Sequence, residues 1–274
     1  MVRDVQPENA LLRKHVVGFN MFEDHSPVRF YAYPQLGATV EFLKNAYLSC
    51  DRASITVKPL ENTGNRDTYA VVIYGKYATP VLINYEGYVD HFGVNFNATG
   101  ISCFFDTPYK ALAPLNFQLY SNPGWQTFAS RLFAFHGFEE RMAFTEQFLL
   151  DRFKPISPPG IEKAVELIVE DPAVHISELP DRCGMSSRSL LRKFNDFVGC
   201  SPVLFKRIVR FRNAIDLESR QSKNLNCTDI CYQHHFFDTA HFRKEFLKLT
   251  HQTPTAFFQN ISAVGNHGFP YQLV

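Results

Sequence analysis

The sequence predicts an α+β fold in two parts: a β-rich barrel or sandwich followed by helices, then an all-α domain of two helix-turn-helix motifs joined by a long linker helix. Three observations predict it. Short β-rich runs separated by turn residues fill the first hundred positions, and near Pro123-Gly124 the apolar period lengthens from two residues to three or four. Beyond Gly160 the chain repeats itself at an offset of 51 to 52 residues. The chain has 274 residues, 45% of them hydrophobic, with 27 Phe and 12 Tyr against one Trp, so one large or two medium cores rich in aromatic rings are expected.

Residues 1–153 read as a β-rich domain with closing helices. Its strand candidates are Ala53–Val57, Tyr69–Tyr74, Val81–Tyr85 and Tyr88–Phe96, separated by turn-prone pieces such as Glu61–Asn65 and Asn97–Gly100, a pattern that favours an antiparallel barrel or sandwich. Trp125–Phe135 and Phe138–Phe153 then carry apolar residues at helical spacing. Residues 154–160 hold three prolines and a glycine, a composition that cannot continue a helix, and read as the linker. Residues 161–260 are the tandem helix-turn-helix domain and 261–274 a C-terminal tail.

The repeat is explicit. Ser177-Glu-Leu179 recurs as Thr228-Asp-Ile230 and Gly184 as His235; Leu190, Phe194, Phe197, Ser201-Pro202 and Phe205 recur as Phe242, Phe246, Leu249, Thr253-Pro254 and Phe257. Each copy reads as a short helix with a Ser or Thr N-cap and an acid in its first turn, a tight turn, and a second amphipathic helix. With Leu190, Phe194 and Phe197 turned inward, Arg188, Leu191, Arg192 and Asn195 share another face at i, i+3, i+4, i+7. In the second copy Ala240, His241, Lys244 and Lys248 take the comparable face, with Thr239 at its N-terminal end and Arg243 beside it.

Arg and Lys donate to guanine edges, Thr and Ala touch a thymine methyl, and the N-terminal halves of such helices enter the major groove. Arg188, Leu191, Arg192, Thr239, Ala240, His241 and Lys244 are therefore the base-facing candidates, and Ser187, Asn195, Arg243 and Lys248 the phosphate candidates. Between Arg182 and Lys248 there are 13 basic and 6 acidic residues, a surplus suited to an anionic partner. The stretch from Pro202 to about Arg220 reads as one amphipathic rod, with Lys206, Arg207, Arg210 and Arg212 largely outward. Its length of ~28 Å suits two recognition helices held about one DNA turn, roughly 34 Å, apart.

At these residues the chain resembles the DNA-binding domain of the AraC/XylS family of bacterial transcriptional regulators. The motifs are ISELPDRCGMSSRSLLRKFNDFVGCSP and DICYQHHFFDTAHFRKEFLKLTHQTP, and the likeness runs from about Ile161 to Phe258. It implies that Arg188, Leu191, Arg192, Thr239, Ala240, His241 and Lys244 face bases. More faintly, Pro34–Gly37 and His91–Gly100 leading into Phe105–Pro108 resemble the small cupin-like β domain that precedes the DNA-binding domain in some of these regulators, where it senses a small molecule or mediates dimerisation. No effector-binding residue follows from it. His235 stands where the family has a turn glycine, and Pro180 lies in the first turn of the leading helix, where a missing amide is tolerated.

Cys227, Cys231, His234 and His235 have a metal-like spacing, but they span the second motif's leading helix and turn, so no metal is expected. Nucleophile-elbow, phosphate-loop and zinc-protease motifs are absent, and neither catalytic residues nor a cofactor is expected. Cys50 and Cys103 read as core thiols rather than reactive ones. The longest apolar runs are far short of the roughly 20 residues of a membrane-spanning helix, so a cytoplasmic chain with no membrane partner is expected. Duplex DNA is the expected partner; RNA polymerase, a small-molecule effector and a second copy of the chain are further candidates. The competing reading is a small-molecule-binding protein or enzyme whose helical part is a protein-interaction module.

Overall fold

The computed structural model describes all residues except 1, 23–25, 62–65, 221–237 and 265–268. Among the described residues twelve strands form two six-stranded sheets. The first has the order β1 (Val2–Val5), β2 (Val16–Phe22), β9 (Asp90–Phe96), β4 (Ala38–Lys44), β7 (Tyr69–Tyr74), β10 (Phe117–Leu119). The second runs β11 (Ser262–Val264), β12 (Phe269–Leu273), β3 (Val28–Ala32), β8 (Val81–Tyr85), β6 (Ser54–Pro59), β5 (Ala46–Cys50). The strand candidates near residues 54, 69, 81 and 90 thus form β6 to β9. The antiparallel expectation needs one correction: β6 and β8 pair in parallel, because the strand between them in sequence, β7, belongs to the other sheet.

The central strands of the first sheet are covered on both faces, and period two sorts their side chains. Val40 and Phe42 of β4 face the helices α1 (Ser102–Phe105), α3 (Pro123–Leu132) and α4 (Phe138–Arg152), where they join Val71, Ile73, Phe92, Val94 and Trp125. Trp125 stacks on Phe105 at 3.9 Å between centroids and lies parallel to Phe42 at 6.0 Å. Leu43, Val72 and Tyr74 point the other way, into the space between the sheets, with Ile55, Val57, Ile83 and Tyr85. Arg141 of α4 closes the stack with a bidentate bond to Asp90 at 2.6 and 2.8 Å.

Beyond residue 153 the chain forms α5 (Pro159–Glu170), a 3₁₀ turn at Ile176–Glu178, α6 (Leu179–Arg182), α7 (Ser187–Val198), α8 (Pro202–Arg220), α9 (Thr239–Thr250) and α10 (Pro254–Asn260). Ser177 falls inside the 3₁₀ turn rather than capping a helix: Pro180 supplies no amide, so the chain tightens before α6 begins. Gly184, at φ 63°, makes the turn into α7, and Gly199, at φ 79°, ends it. A β-carbon at Gly199 would meet the Tyr109 ring at 2.9 Å, because α2 (Tyr109–Leu112) packs on α7. Two apolar clusters build this part. Ile161, Ala164, Leu190, Phe194 and Phe205 form one, and Ile208, Phe211, Phe242, Phe246 and Phe257 the other.

The two parts of the chain are joined tightly. Tyr33 is fully buried in the second helical cluster, edge-on to Phe257 at 4.8 Å, and Leu36 packs against both clusters. The residues after 260, read from sequence as a tail, return to the β region, where β12 pairs with β3 in the register Tyr271 to Ala32. Gln272 of that strand accepts from the Tyr33 hydroxyl at 2.8 Å and from Gln252 at 2.6 Å, and burial first of all pushes the Tyr33 phenol up to about 12.

Lys76 pins the same loop by donating to the carbonyls of Gln35, Leu36 and Gly37 at 3.0, 2.6 and 3.1 Å. Burial pulls its ammonium down to about 8, an effect that electrostatic interaction with Cys200 partly opposes. The unfolded chain therefore binds more protons than the folded one above that value. The contribution of Lys76 to stability rises with pH until the ordinary lysine value of 10.5 is passed. Measured by urea unfolding, wild type should gain about 1–2 kcal/mol on Lys76→Met between about pH 7 and pH 9.5. A constant difference would contradict this account of the buried ammonium.

Candidate nucleic-acid interface

Ser186 caps α7, accepting from the Ser189 amide at 3.2 Å, and Asp238 caps α9, accepting from the His241 amide at 2.6 Å. Both caps leave the first turns pointing outward. Ser187, Arg188, Leu191 and Arg192 are exposed on α7, and Thr239, Ala240, Arg243, Lys244 and Lys248 on α9. Leu191 is 50% exposed, a large apolar side chain in water beside two arginines. Leu190, Phe194, Phe242, Phe246 and Leu249 are buried. These lie on the inner faces that the spacing predicts, with Phe197 half-buried against the first cluster.

Three candidates are less free than their neighbours. Asn195 is half-buried and donates to the Leu191 carbonyl at 2.8 Å, and Lys248 reaches back to Glu245 at 3.2 Å. His241 is half-buried and has an interaction within the fold.

The largest departure concerns the linker helix. Its cations, which the sequence places largely outward, turn to acceptors within the protein instead. Lys206 donates to the Val174 and Ala173 carbonyls at 2.5 and 3.2 Å, and Arg210 to the Pro172 carbonyl at 3.0 Å. Arg207 bonds the Glu245 carboxylate, and Arg212 is drawn down by burial, with Asp216 and Tyr77 opposing. Burial alone would raise the Glu245 carboxyl, but its bonds to Arg207 and Lys248 hold it below its ordinary range. The physical reason is that α8 lies between both helical clusters, so carbonyls at the end of α5 and the buried Glu245 need donors there. A buried acid on α9 thus fixes its pose against α8, a role that sequence periodicity does not reveal.

Residues 179–260 match the family model described as a helix-turn-helix domain. The match contains both exposed faces, on α7 and on α9, and overlaps most of the segment resembling the AraC/XylS proteins. Among solved structures the chain is similar to ToxT from Vibrio cholerae, with 12% identity over 88% of this chain and 98% of that one and a TM-score of 0.47. A ToxT structure bound to an unsaturated fatty acid gives 10% identity, 94% and 93% coverage, and 0.42. The C-terminal domain of AraT, a response regulator from Geobacillus stearothermophilus, gives 17%, 38% and 87%, and 0.35. No curated protein matches the chain by sequence.

The leading helix and turn of the second motif, with Thr228, Cys227, Cys231, His234 and His235, lie outside the described residues. Among the described residues no group of three or more His, Cys, Asp or Glu could hold a metal ion, and no helix is long and apolar enough to cross a membrane. Cys103 is buried, and burial raises its thiol, whereas Cys50 is exposed.

A second candidate site lies far from the helix-turn-helix domain in sequence. Between the sheets is a cavity of about 360 Å³. On its wall Glu41 accepts from the hydroxyls of Tyr74 at 2.5 Å and Tyr85 at 2.6 Å, and Nδ1 of His91 stands 3.0 Å away. Burial alone would raise the Glu41 carboxyl; the His91 bond and charge, with the two phenols, outweigh it and hold the group below its ordinary range. Strand register explains the assembly. Glu41 lies opposite Val72 and Gly93, so Tyr74 and His91, two residues further along the neighbouring strands, share its face. Sequence reasoning missed this cluster, since no spacing rule joins residues 41, 74, 85 and 91; alternation in β4 was the available signal.

Proposed function

We propose that the protein is a bacterial, cytoplasmic, sequence-specific DNA-binding transcriptional regulator of the AraC type, and not an enzyme. The α7 and α9 helices read two adjacent major grooves, with Arg188, Leu191 and Arg192 on one and Thr239, Ala240, His241 and Lys244 on the other facing bases. Ser187, Asn195, Arg243 and Lys248 lie towards the backbone, Asn195 with its amide donating to the Leu191 carbonyl. A small molecule held by the β region controls the contact; RNA polymerase and a second copy of the chain are the partners it would meet on DNA.

The observation that carries this reading is a division of labour among cations. Lys206, Arg207 and Arg210 of α8 are engaged by carbonyls and by Glu245, whereas Arg188, Arg192, Arg243 and Lys244 stand exposed on the two capped helices. Arginines and lysines left in water on groove-sized helices are the donors that read guanine.

Selection of bound duplexes from a randomised pool, with the full chain, tests it. Affinity should fall steeply with salt, log K by about 0.9 per phosphate neutralised for each unit of log salt. Arg188→Ala and Lys244→Ala should each relax base choice at one position, costing about 1–3 kcal/mol. Unchanged affinity and preference in both variants would remove the residue assignment. Enrichment of no duplex at low salt would favour the other class, a β-domain binding protein or enzyme with a protein-interaction module.

A further inference from the structure

We propose that the cavity between the sheets binds a small organic cation with an aromatic or apolar body, anchored by Glu41 and Asp4. The proposal deepens the regulator reading and rests on it only for the consequence of binding, not for binding itself. Its volume of about 360 Å³ lies within the ~300–1,000 Å³ of small-molecule pockets.

Charge chooses the ligand class. Two carboxylates, Asp4 and Glu41, line the cavity, and among the described residues its lining includes neither Lys nor Arg. Among the described residues His91 is the one lining side chain able to bear positive charge, and the two carboxylates outnumber it. Glu41 is only 6% exposed and already fixed by two phenols and an imidazole, a preorganised anion whose field is little screened by water. A carboxylate ligand would be desolvated beside these groups with no cation to meet it. An ammonium would meet opposite charge.

The remaining walls suit the rest of such a ligand. Phe30, Tyr85, Tyr88 and Tyr271 present aromatic surface, and quadrupoles of this kind attract alkylammonium groups within about 6 Å of a ring centroid. Tyr88 is 42% exposed, which places an aromatic side chain where the cavity meets solvent. Tyr271 and Leu273 come from β12, the strand whose Gln272 bonds Tyr33 and Gln252. An occupant therefore touches the same short strand that ties the sheets to the helical part.

Isothermal titration of the full chain, without DNA, provides the test. The probes are phenethylammonium and benzyltrimethylammonium, with 3-phenylpropionate and benzyl alcohol as anionic and neutral counterparts. At least one cation should bind about ten-fold or more tightly than both counterparts. Asp4→Asn and Glu41→Gln should each weaken it by about ten-fold, and Tyr88→Ala by roughly three-fold or more.

Should Glu41→Gln lose cooperative unfolding, Asp4→Asn and the exposed Tyr88→Ala carry the comparison. No cation binding in the millimolar range, equal or tighter binding of the carboxylate or alcohol, or unchanged affinity in the folded variants would overturn the proposal. A chain that selects a duplex yet binds no cation defeats this inference alone. A chain that binds a cation yet selects no duplex defeats the regulator reading alone.

Discussion

Phe246→Ala should lower the unfolding free energy by about 3–5 kcal/mol and abolish selective duplex binding. Phe246 has no exposed surface, and its ring meets Phe242 at 4.6 Å, Phe211 at 5.2 Å, Phe258 at 5.4 Å and Phe257 at 5.5 Å. It is the side chain on which α8, α9 and α10 converge. Its loss removes transfer free energy and leaves a void among rings that cannot all move inward. The adjacent Leu247 is 51% exposed, so Leu247→Ala should stay within about 0.5 kcal/mol of wild type. Urea unfolding followed by circular dichroism separates the two, and equal costs would mean that the inner face of α9 is wrongly assigned.

Glu41→Ala has the next largest expected effect, a loss of about 3–5 kcal/mol, because it strands the phenols of Tyr74 and Tyr85 and the imidazole of His91 beside a new void. Glu41→Gln keeps an acceptor oxygen and should recover part of the loss. The pH dependence has a definite sign. The folded carboxyl is held below its ordinary value of 4.5, so the stability it supplies is complete above that value and disappears as pH falls through the lower folded one. Wild type should accordingly show a steeper acid limb than Glu41→Gln in thermal melts between about pH 5 and pH 2.5. Parallel limbs would show that the buried carboxylate is not what the two phenols and the imidazole stabilise.

How much of this could be read from the sequence differs by element. The repeat and the i, i+4, i+7 spacing of Leu190, Phe194 and Phe197 were enough to separate buried from exposed faces, since a helix maps sequence spacing directly onto geometry. Strands near residues 54, 69, 81 and 90 were visible for the same local reason. The linker cations were misread because Lys206 and Arg210 find their acceptors at Ala173, Val174 and Pro172, carbonyls more than 30 residues away that no periodicity can place. The Ser177 cap failed at shorter range, where Pro180 reshapes the helix start.

Local chemistry written along the chain therefore determined the α+β class, the duplicated helix-turn-helix segment and the outward set headed by Arg188, Arg192 and Lys244. Tertiary structure alone decided that β12 closes onto β3, that Glu41 gathers Tyr74, Tyr85 and His91 around a cavity, and that Glu245 holds α9 against α8. The first group depends on contacts within a few residues, where backbone geometry dictates which side chains share a face. The second depends on loop closure between distant segments, where register and burial choose partners that sequence separation conceals.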